Sequence, residues 1–437
     1  MDYLRAAFGI IVLISIAYLF SVHRKNIDWR LVATGVVLQL LFGVLVTKVG
    51  FIAQMFDLVS LAFVKFLSFA QDGAEFIFGG LAYNSNDNRN AGHSLGFIFA
   101  FQVLPTIIFF SSISAGLYYL GWLQKIVYVI AWVMTKTMRL SGSESLSAAG
   151  NIFLGQTEAP LLVRPFIANM TRSELMCLMT GGMATIAGAV LAAYVTFLGG
   201  DDPVEKTKYA AYLLSASIMN APAAIVMSKM LLPEMESDKI DRKLKVNKET
   251  LGVNLIDSLA SGAAQGIKLA ANVGGMLLAF IAVIYAINFI LSGVIGHYSG
   301  LNAVIASSTG GQFDGLSLQY ILGQIFRVFA FIMGVDWVDT LQVGSLLGQK
   351  TVINEFLAYL DLAEMKAAGS LQSKSIVIAT YSLCGFANFS SIAIQIGGIG
   401  GIAPNQQANL SRLGMRALLA ASLATMMTGT IAGAIAG

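Results

Sequence analysis

Apolar runs of about 20 residues recur along the chain, the length an α-helix needs to cross a hydrocarbon core of about 30 Å. No water reaches backbone N–H and C=O groups inside that core, so only helices and closed barrels span it. Barrel strands alternate apolar and polar residues, whereas these runs are continuously apolar. The chain therefore reads as an all-α polytopic membrane protein. Composition agrees: 56% of the 437 residues are hydrophobic and 12% charged, against roughly 25% charged in a soluble domain. A net charge of +3 gives no sign of a nucleic-acid partner.

Eight spans are expected, at about 4–21, 31–46, 95–119, 174–198, 209–231, 270–295, 376–396 and 413–435. The first reads as a retained helix rather than a signal peptide, because Asp2 is acidic, no A-x-A site closes it and a second span follows directly. Basic residues set the orientation. His23, Arg24, Lys25 and Arg30 place the first loop in the cytoplasm, and Lys229, Lys239, Arg242, Lys243, Lys245 and Lys248 do the same for the solvated loop at 229–250. Arg412 and Arg416 start the last span there, so both termini are expected outside. Two stretches read as amphipathic helices lying in the interface: 51–80, with Gln54, Asp57, Lys65, Ser68, Asp72 and Glu75 at mostly helical spacings, and 121–136. A polar loop, YNSNDNRN at 83–90, follows the first of them, and the segment 316–334 has the same character as the second.

The segment SGSESLSAAGNIFLGQTEAPLLVRPF (141–166) carries a polar knot at Asn151, Gln156, Thr157 and Glu158 between apolar arms of about 12 to 15 residues. Arms that short cannot cross the core, so a re-entrant hairpin is expected, entering from the cytoplasmic side where Arg164 and Arg172 follow. The segment 336–360 repeats the plan: Asp339-Thr340-Leu341 matches Glu144-Ser145-Leu146, and Glu355 matches Glu158. Both blocks follow an amphipathic segment and precede two spans, which implies two re-entrant hairpins of opposite orientation in an inverted repeat. The units are then an N-terminal scaffold (1–120), a first repeat (121–235), a scaffold and oligomer-contact span (250–300) and a second repeat (313–437). Glycines 181, 182 and 188 are expected to break the fourth span and CGFANFSS (384–391) the seventh, while Asn220 and Pro222 lie inside the fifth.

Hairpin tips and broken helices leave polar backbone groups at mid-membrane, an arrangement that suits a transport site. Gln156, Thr157, Glu158, Glu355, Asn388, Ser390 and Ser391 supply donors and acceptors for a polar but largely uncharged solute, and Phe386 and Phe389 supply aromatic faces. No Lys or Arg lies at either tip or in CGFANFSS, which argues against an anionic solute such as a nucleotide. The oxygens of Asn151, Thr157 and Thr185 suit a small hard cation. Cys177 and Cys384 stand apart as packed thiols, and His23, His93 and His297 fall in loops or span ends, so an intramembrane enzyme lacks its nucleophile or metal constellation. A passive channel lacks a filter motif.

The motifs GQTEAPLLVRP (155–165), NEFLAYL (354–360) and CGFANFSSIAIQIGGIG (384–400) resemble the concentrative nucleoside transporter family, a likeness running from about residue 90 to the C-terminus. It implies a homotrimer in the bacterial inner membrane that imports nucleosides such as uridine by elevator-type alternating access. It also implies a cation-driven symporter and not an enzyme. Carried over by motif position, Gln156, Thr157, Glu158 and Val190 surround the base, Phe386 lies against it, and Glu355, Asn388 and Ser391 bind the ribose hydroxyls. A sodium ion falls to the side chains of Asn151 and Thr185 and backbone oxygens near Leu154 and Ile186. The alternative is proton coupling, but GQTE with Asn151 upstream tilts the reading to sodium.

Overall fold

The structure, a computed structural model, describes residues 2–83, 97–200, 202–244 and 252–436, and every regular element among them is helical. Most of the polar loop at 83–90, the start of the third expected span, His93, and Lys245 and Lys248 lie outside the described residues.

Helices α1 (Asp2–Leu19) and α2 (Trp29–Lys48) are apolar; α1 packs on α21 and α2 on α12. Asp28 starts α2 by accepting from the Arg30 and Leu31 amides at 3.0 and 3.2 Å. Then come α3 (Gly50–Phe78), α4 (Phe99–Gln102), α5 (Leu104–Tyr119) and α6 (Trp122–Met138). The buried residues of α6 are Leu123, Val127, Ala131, Met134 and Met138, one stripe of an amphipathic helix as its sequence predicts.

The next helices are α7 (Gly142–Gly150), α8 (Ala159–Leu162), α9 (Arg164–Ile167), α10 (Arg172–Ala184), α11 (Gly188–Gly199) and α12 (Pro203–Leu231). A long outer helix, α13 (Leu255–Asn288), continues through a π-helical stretch into α14 (His297–Ser299), before α15 (Leu301–Ser308). The last group is α16 (Leu318–Ile332), α17 (Thr340–Val352), α18 (Glu355–Ala367), α19 (Ser373–Leu383), α20 (Phe389–Ile402) and α21 (Gln407–Ala436). One order therefore occurs twice: an amphipathic helix, a short helix ending in a tip, short helical return, a pair of half-length helices, and one long helix.

Among the described residues eight helical segments are long and apolar enough to cross a membrane; seven overlap spans expected from sequence, and one does not. The segment Gly50–Ala82, read as interfacial, meets that test, because α3 alone reaches roughly 43 Å at 1.5 Å per residue. The expected span at 376–396 is broken where CGFANFSS predicts, into two half-length helices, α19 and α20, separated at 384–388, and so does not count as one long crossing helix. Packing sorts the helices. In the apolar 18-residue core of Arg172–Gly199 and of Pro404–Ile435, 94% of residues are buried, against 6% in that of Leu255–Ser299. Helices α10, α12, α19 and α21 thus pack at the centre, and α13 lies along α5 at the periphery with Leu278 and Tyr285 outward.

A buried ion cluster anchors the start of α7. Ser141 and Glu144 form a capping box on α7, as Thr171 and Glu174 do on α10. Ser143 Oγ donates to Glu174 at 3.0 Å, joining the two helix starts. Lys229, near the end of α12, ion-pairs with Glu144 and donates to Ser173 Oγ at 2.9 Å. Both charges are buried, Lys229 at 7% exposure and Glu144 at 1%. Removing the cation strands a buried carboxylate, so Lys229→Met is expected to cost about 3 to 5 kcal/mol, and adding Glu144→Gln should recover most of it. Thermal unfolding of the two variants in detergent checks this; equal losses in both would show that the charge pair is not what is being read.

Candidate functional site

Two interruptions build the site. The first, Thr185–Ala187, separates α10 from α11; the second, Cys384–Asn388, separates α19 from α20. Glycines 181 and 182, expected to mark the first break, lie inside α10, and only Gly188 borders it. Helix geometry survives glycine when neighbouring helices support it, and Gly182 serves packing: a Cβ there would lie 2.7 Å from Gln395 Nε2 and 3.0 Å from Gln156 Cβ. The breaks meet back to back. Phe386 N–H donates to Thr185 O at 3.4 Å, and Asn220 Nδ2 donates to Ala184 O at 2.8 Å and Cys384 O at 2.7 Å. Gly385 takes φ +156°, and a Cβ on it would lie 2.7 Å from Ala184 O. Backbone groups that lose their helical partners at the breaks are satisfied by each other and by one asparagine.

Residues 151–158 form a turn-rich tip between α7 and α8. It is pinned from outside: Ser217 Oγ donates to Ile152 O at 3.0 Å and Gly188 N–H to Phe153 O at 3.1 Å. In the other block Asn354 caps α18 by accepting from the Leu357 amide at 3.0 Å, which sets Glu355 at the first position of a helix. Asn388 caps α20 in the same way through the Ser391 amide at 2.9 Å. Anions and acceptors are favoured at such helix starts.

A cavity of about 130 Å³ opens between these pieces. All eight residues expected to touch substrate line it: Gln156, Thr157, Glu158, Val190, Glu355, Phe386, Asn388 and Ser391. Ser390 joins them, but Phe389 does not and stands 46% exposed on the far side of its helix turn. The polar lining is pre-connected. Asn388 Nδ2 donates to Glu355 Oε2 at 2.8 Å and Tyr194 OH to Glu355 Oε1 at 2.9 Å, so both carboxylate oxygens have fixed directions. Gln156 Nε2 donates to Ser391 Oγ at 3.0 Å, while Gln395 Nε2 donates to Gln156 Oε1 at 3.1 Å and Met179 O at 3.1 Å. Tyr194 is itself stacked on Tyr359, with ring centroids 4.2 Å apart.

The four residues expected to hold a cation gather beside this cavity around one turn of α10. Asn151 is 1% exposed, and neither of its side-chain polar atoms has a hydrogen-bond partner. Its Nδ2 lies 3.2 Å from the point where a Cβ on Gly181 would stand, and Thr185 Oγ1 donates to Gly181 O at 2.8 Å. Leu154 and Ile186 are buried on the tip and the break respectively. An orphaned buried amide next to a hydroxyl and non-helical carbonyls fits a small hard cation, which relieves the cost of the unpaired oxygen. Among the described residues no group of three His, Cys, Asp or Glu side chains could hold a metal.

Sequence reasoning passed over several members. Gln395 and Tyr194 lie within apolar runs, and the cost of burying polar groups in such runs, the argument that singled out Glu158, points to them equally. Asn220 reads from sequence only as a polar residue inside the fifth span, and its place as the link between two others comes from the packing. The apolar wall of Leu269, Val273 and Met276 comes from α13 and carries no sequence signal, since such residues serve lipid and cavity alike.

Models of known families cover most of the chain. "Na+ dependent nucleoside transporter C-terminus" matches residues 212–433, "Na+ dependent nucleoside transporter N-terminus" residues 8–81, and "Nucleoside recognition" residues 100–201. An uncharacterized transporter of Haemophilus influenzae is 41% identical over 100% of this chain and 99% of its own. Human sodium/nucleoside cotransporter 1 is 39% identical over 97% of this chain, which spans 62% of that protein. The solved structure of CNTnw in an inward-facing substrate-bound state superposes with a TM-score of 0.88 at 40% identity, over 100% of this chain and 98% of the other. Agreement of this extent, with the cavity residues falling inside the matched segments, makes the chain a multi-pass membrane protein of the concentrative, Na+-dependent nucleoside transporter family.

Proposed function

We propose that the protein is a secondary active symporter that imports nucleosides, uridine among them, on a sodium gradient. The observation that carries this reading is the junction of the two candidate sites on one tip, residues 151–158. The unpartnered Asn151 stands five residues before Gln156 on the same tip, so an ion held at Asn151, Thr185, Leu154 and Ile186 orders the segment that presents Gln156, Thr157 and Glu158 to the base. Glu355, held by Tyr194 and Asn388, then accepts from the ribose hydroxyls alongside Asn388 and Ser391, and Phe386 and Val190 flank the base. Pre-connection lowers the ordering cost that binding otherwise incurs. Sodium is favoured over a proton because the orphaned group, an amide, does not titrate.

The repeated helix order supports an inverted repeat with two re-entrant hairpins, units 121–235 and 313–437 moving together against a scaffold that includes 1–120 and 250–300. The α13 wall of the cavity is the stationary surface in this elevator, and the exposed apolar face of α13 fits contact with lipid or with sister subunits of a homotrimer. We place the protein in the bacterial inner membrane with both termini outside, following the distribution of basic residues.

Three outcomes are expected. Labelled uridine should accumulate in proteoliposomes under an inward sodium gradient, and equal uptake with choline would remove sodium coupling. Glu355→Gln turns a charge-assisted hydrogen bond into a neutral one and sets an amide N–H against one of two donors; it should weaken uridine binding by about 1 to 2 kcal/mol, roughly 5- to 30-fold. Competition binding measures this, and wild-type affinity would refute the ribose assignment. Asn151→Ala should raise the sodium concentration for half-maximal uptake about tenfold while uridine at saturating sodium still binds; an unchanged sodium requirement would move the ion elsewhere.

A further inference from the structure

The two blocks set like positions on like elements. In the first, Asn151 follows the end of α7 and faces the end of α10, whose Ala184 carbonyl is held by Asn220 of the long helix α12. In the second, Lys350 lies in the last turn of α17. Its Nζ donates to the carbonyl of Ser382, in the last turn of α19, at 2.7 Å, and to Thr425 Oγ1 of the long helix α21 at 2.8 Å. The first block thus brings Asn151 beside Gly181 near the carbonyl end of α10, with the neighbouring Ile152 carbonyl held by Ser217 of the long helix α12, and the second brings Lys350 to the carbonyl end of α19 and the middle of α21. Helix C-termini carry negative partial charge, so a cation is favoured at both places.

What differs is how the demand is met. Asn151 leaves two unpartnered atoms, whereas Lys350, 2% exposed, delivers its amino group to a carbonyl and a hydroxyl, the oxygen types that ligate a hard cation. Thr425 Oγ1 spends its own proton on Ser422 O at 3.0 Å, which leaves its lone pairs for the ammonium. Lys350 stands five residues before Glu355, and its Ser382 contact lies two residues before the Cys384–Asn388 break.

We propose that the Lys350 ammonium is a tethered cation. It occupies in the second block the place that the first block keeps for the coupling ion, holds the second break in the shape that presents Glu355 and Asn388, and limits the protein to one exchangeable cation per cycle. Only the ion count rests on the sodium reading above; the positioning of Glu355 does not.

The test compares Lys350→Met, which fills the space without charge, with Lys350→Asn, which leaves Ser382 O and Thr425 Oγ1 open beside a third oxygen. Uridine affinity of the purified full chain is measured in sodium and in choline, with the sodium Hill coefficient of uptake. Lys350→Met should bind uridine at least about tenfold more weakly in both salts. Lys350→Asn should return to within about threefold of wild type in sodium but not in choline, with its Hill coefficient rising from about 1 toward 2. Wild-type affinity in Lys350→Met, or equally weak binding of Lys350→Asn in both salts, overturns the proposal. Should Lys350→Met not fold, Thr425→Val keeps the lysine and removes one acceptor; several-fold weaker binding is expected, and wild-type affinity overturns the idea. If wild-type uptake ignores sodium, the coupling reading fails, while the Met and Asn variants in the two salts still decide the role of Lys350.

Discussion

Asn220 donates from one amide nitrogen to the carbonyls of Ala184 and Cys384, and the site depends on that pair of bonds. Each carbonyl ends a helix that stops inside the protein, where the hydrogen bond it would have made along a continuous helix is missing. In a chain that crosses a membrane, an unsatisfied carbonyl costs several kcal/mol, so a helix can stop there only where a partner is built in. With Asn220 in place both breaks are stable. Helices α11 and α20 can then begin at mid-protein, and the capping residue of α20, Asn388, becomes a cavity residue.

The same logic separates the polar groups that are satisfied from those that are not. Glu355, Asn388, Gln156, Ser391 and Gln395 form a connected set of directed hydrogen bonds, which holds the cavity in a form ready for a polar solute. Asn151 differs in that neither of its polar atoms has a partner, whereas Gln395 and Asn220 leave only their side-chain oxygen unpaired. In the second block Lys350 donates to both Ser382 O and Thr425 Oγ1. Under the proposal above, the first block's demand falls to an exchangeable cation and the second's to this side chain.

Much of the site was legible in the sequence because the membrane makes polarity informative. Glu158 and Glu355 stood out as ionisable groups in apolar surroundings, and their motifs gathered Gln156, Thr157, Asn388 and Ser391 with them; all of these line one cavity. The exact helix ends were less legible. Gly181 and Gly182 looked like breakers but remain helical, since the tight contact of Gly182 with Gln156 and Gln395 gives it a packing reason to be glycine. The charged stripe of 51–80 looked interfacial, yet the helix it forms is also long and apolar enough to cross, because one polar face on a 29-residue helix leaves the rest apolar.

By itself the sequence determined the membrane as solvent, the helical class, the two tips and the chemistry they carry. Periodicity and the cost of buried charge act locally and can be read residue by residue. Only the tertiary structure decided that the two breaks lie back to back, that Asn220 joins them, that Tyr194 and Gln395 complete the polar network, and that α13 supplies the apolar wall. Those contacts connect residues far apart along the chain. An apolar residue facing a cavity differs from one facing lipid by its neighbours alone, so no local pattern could have told them apart.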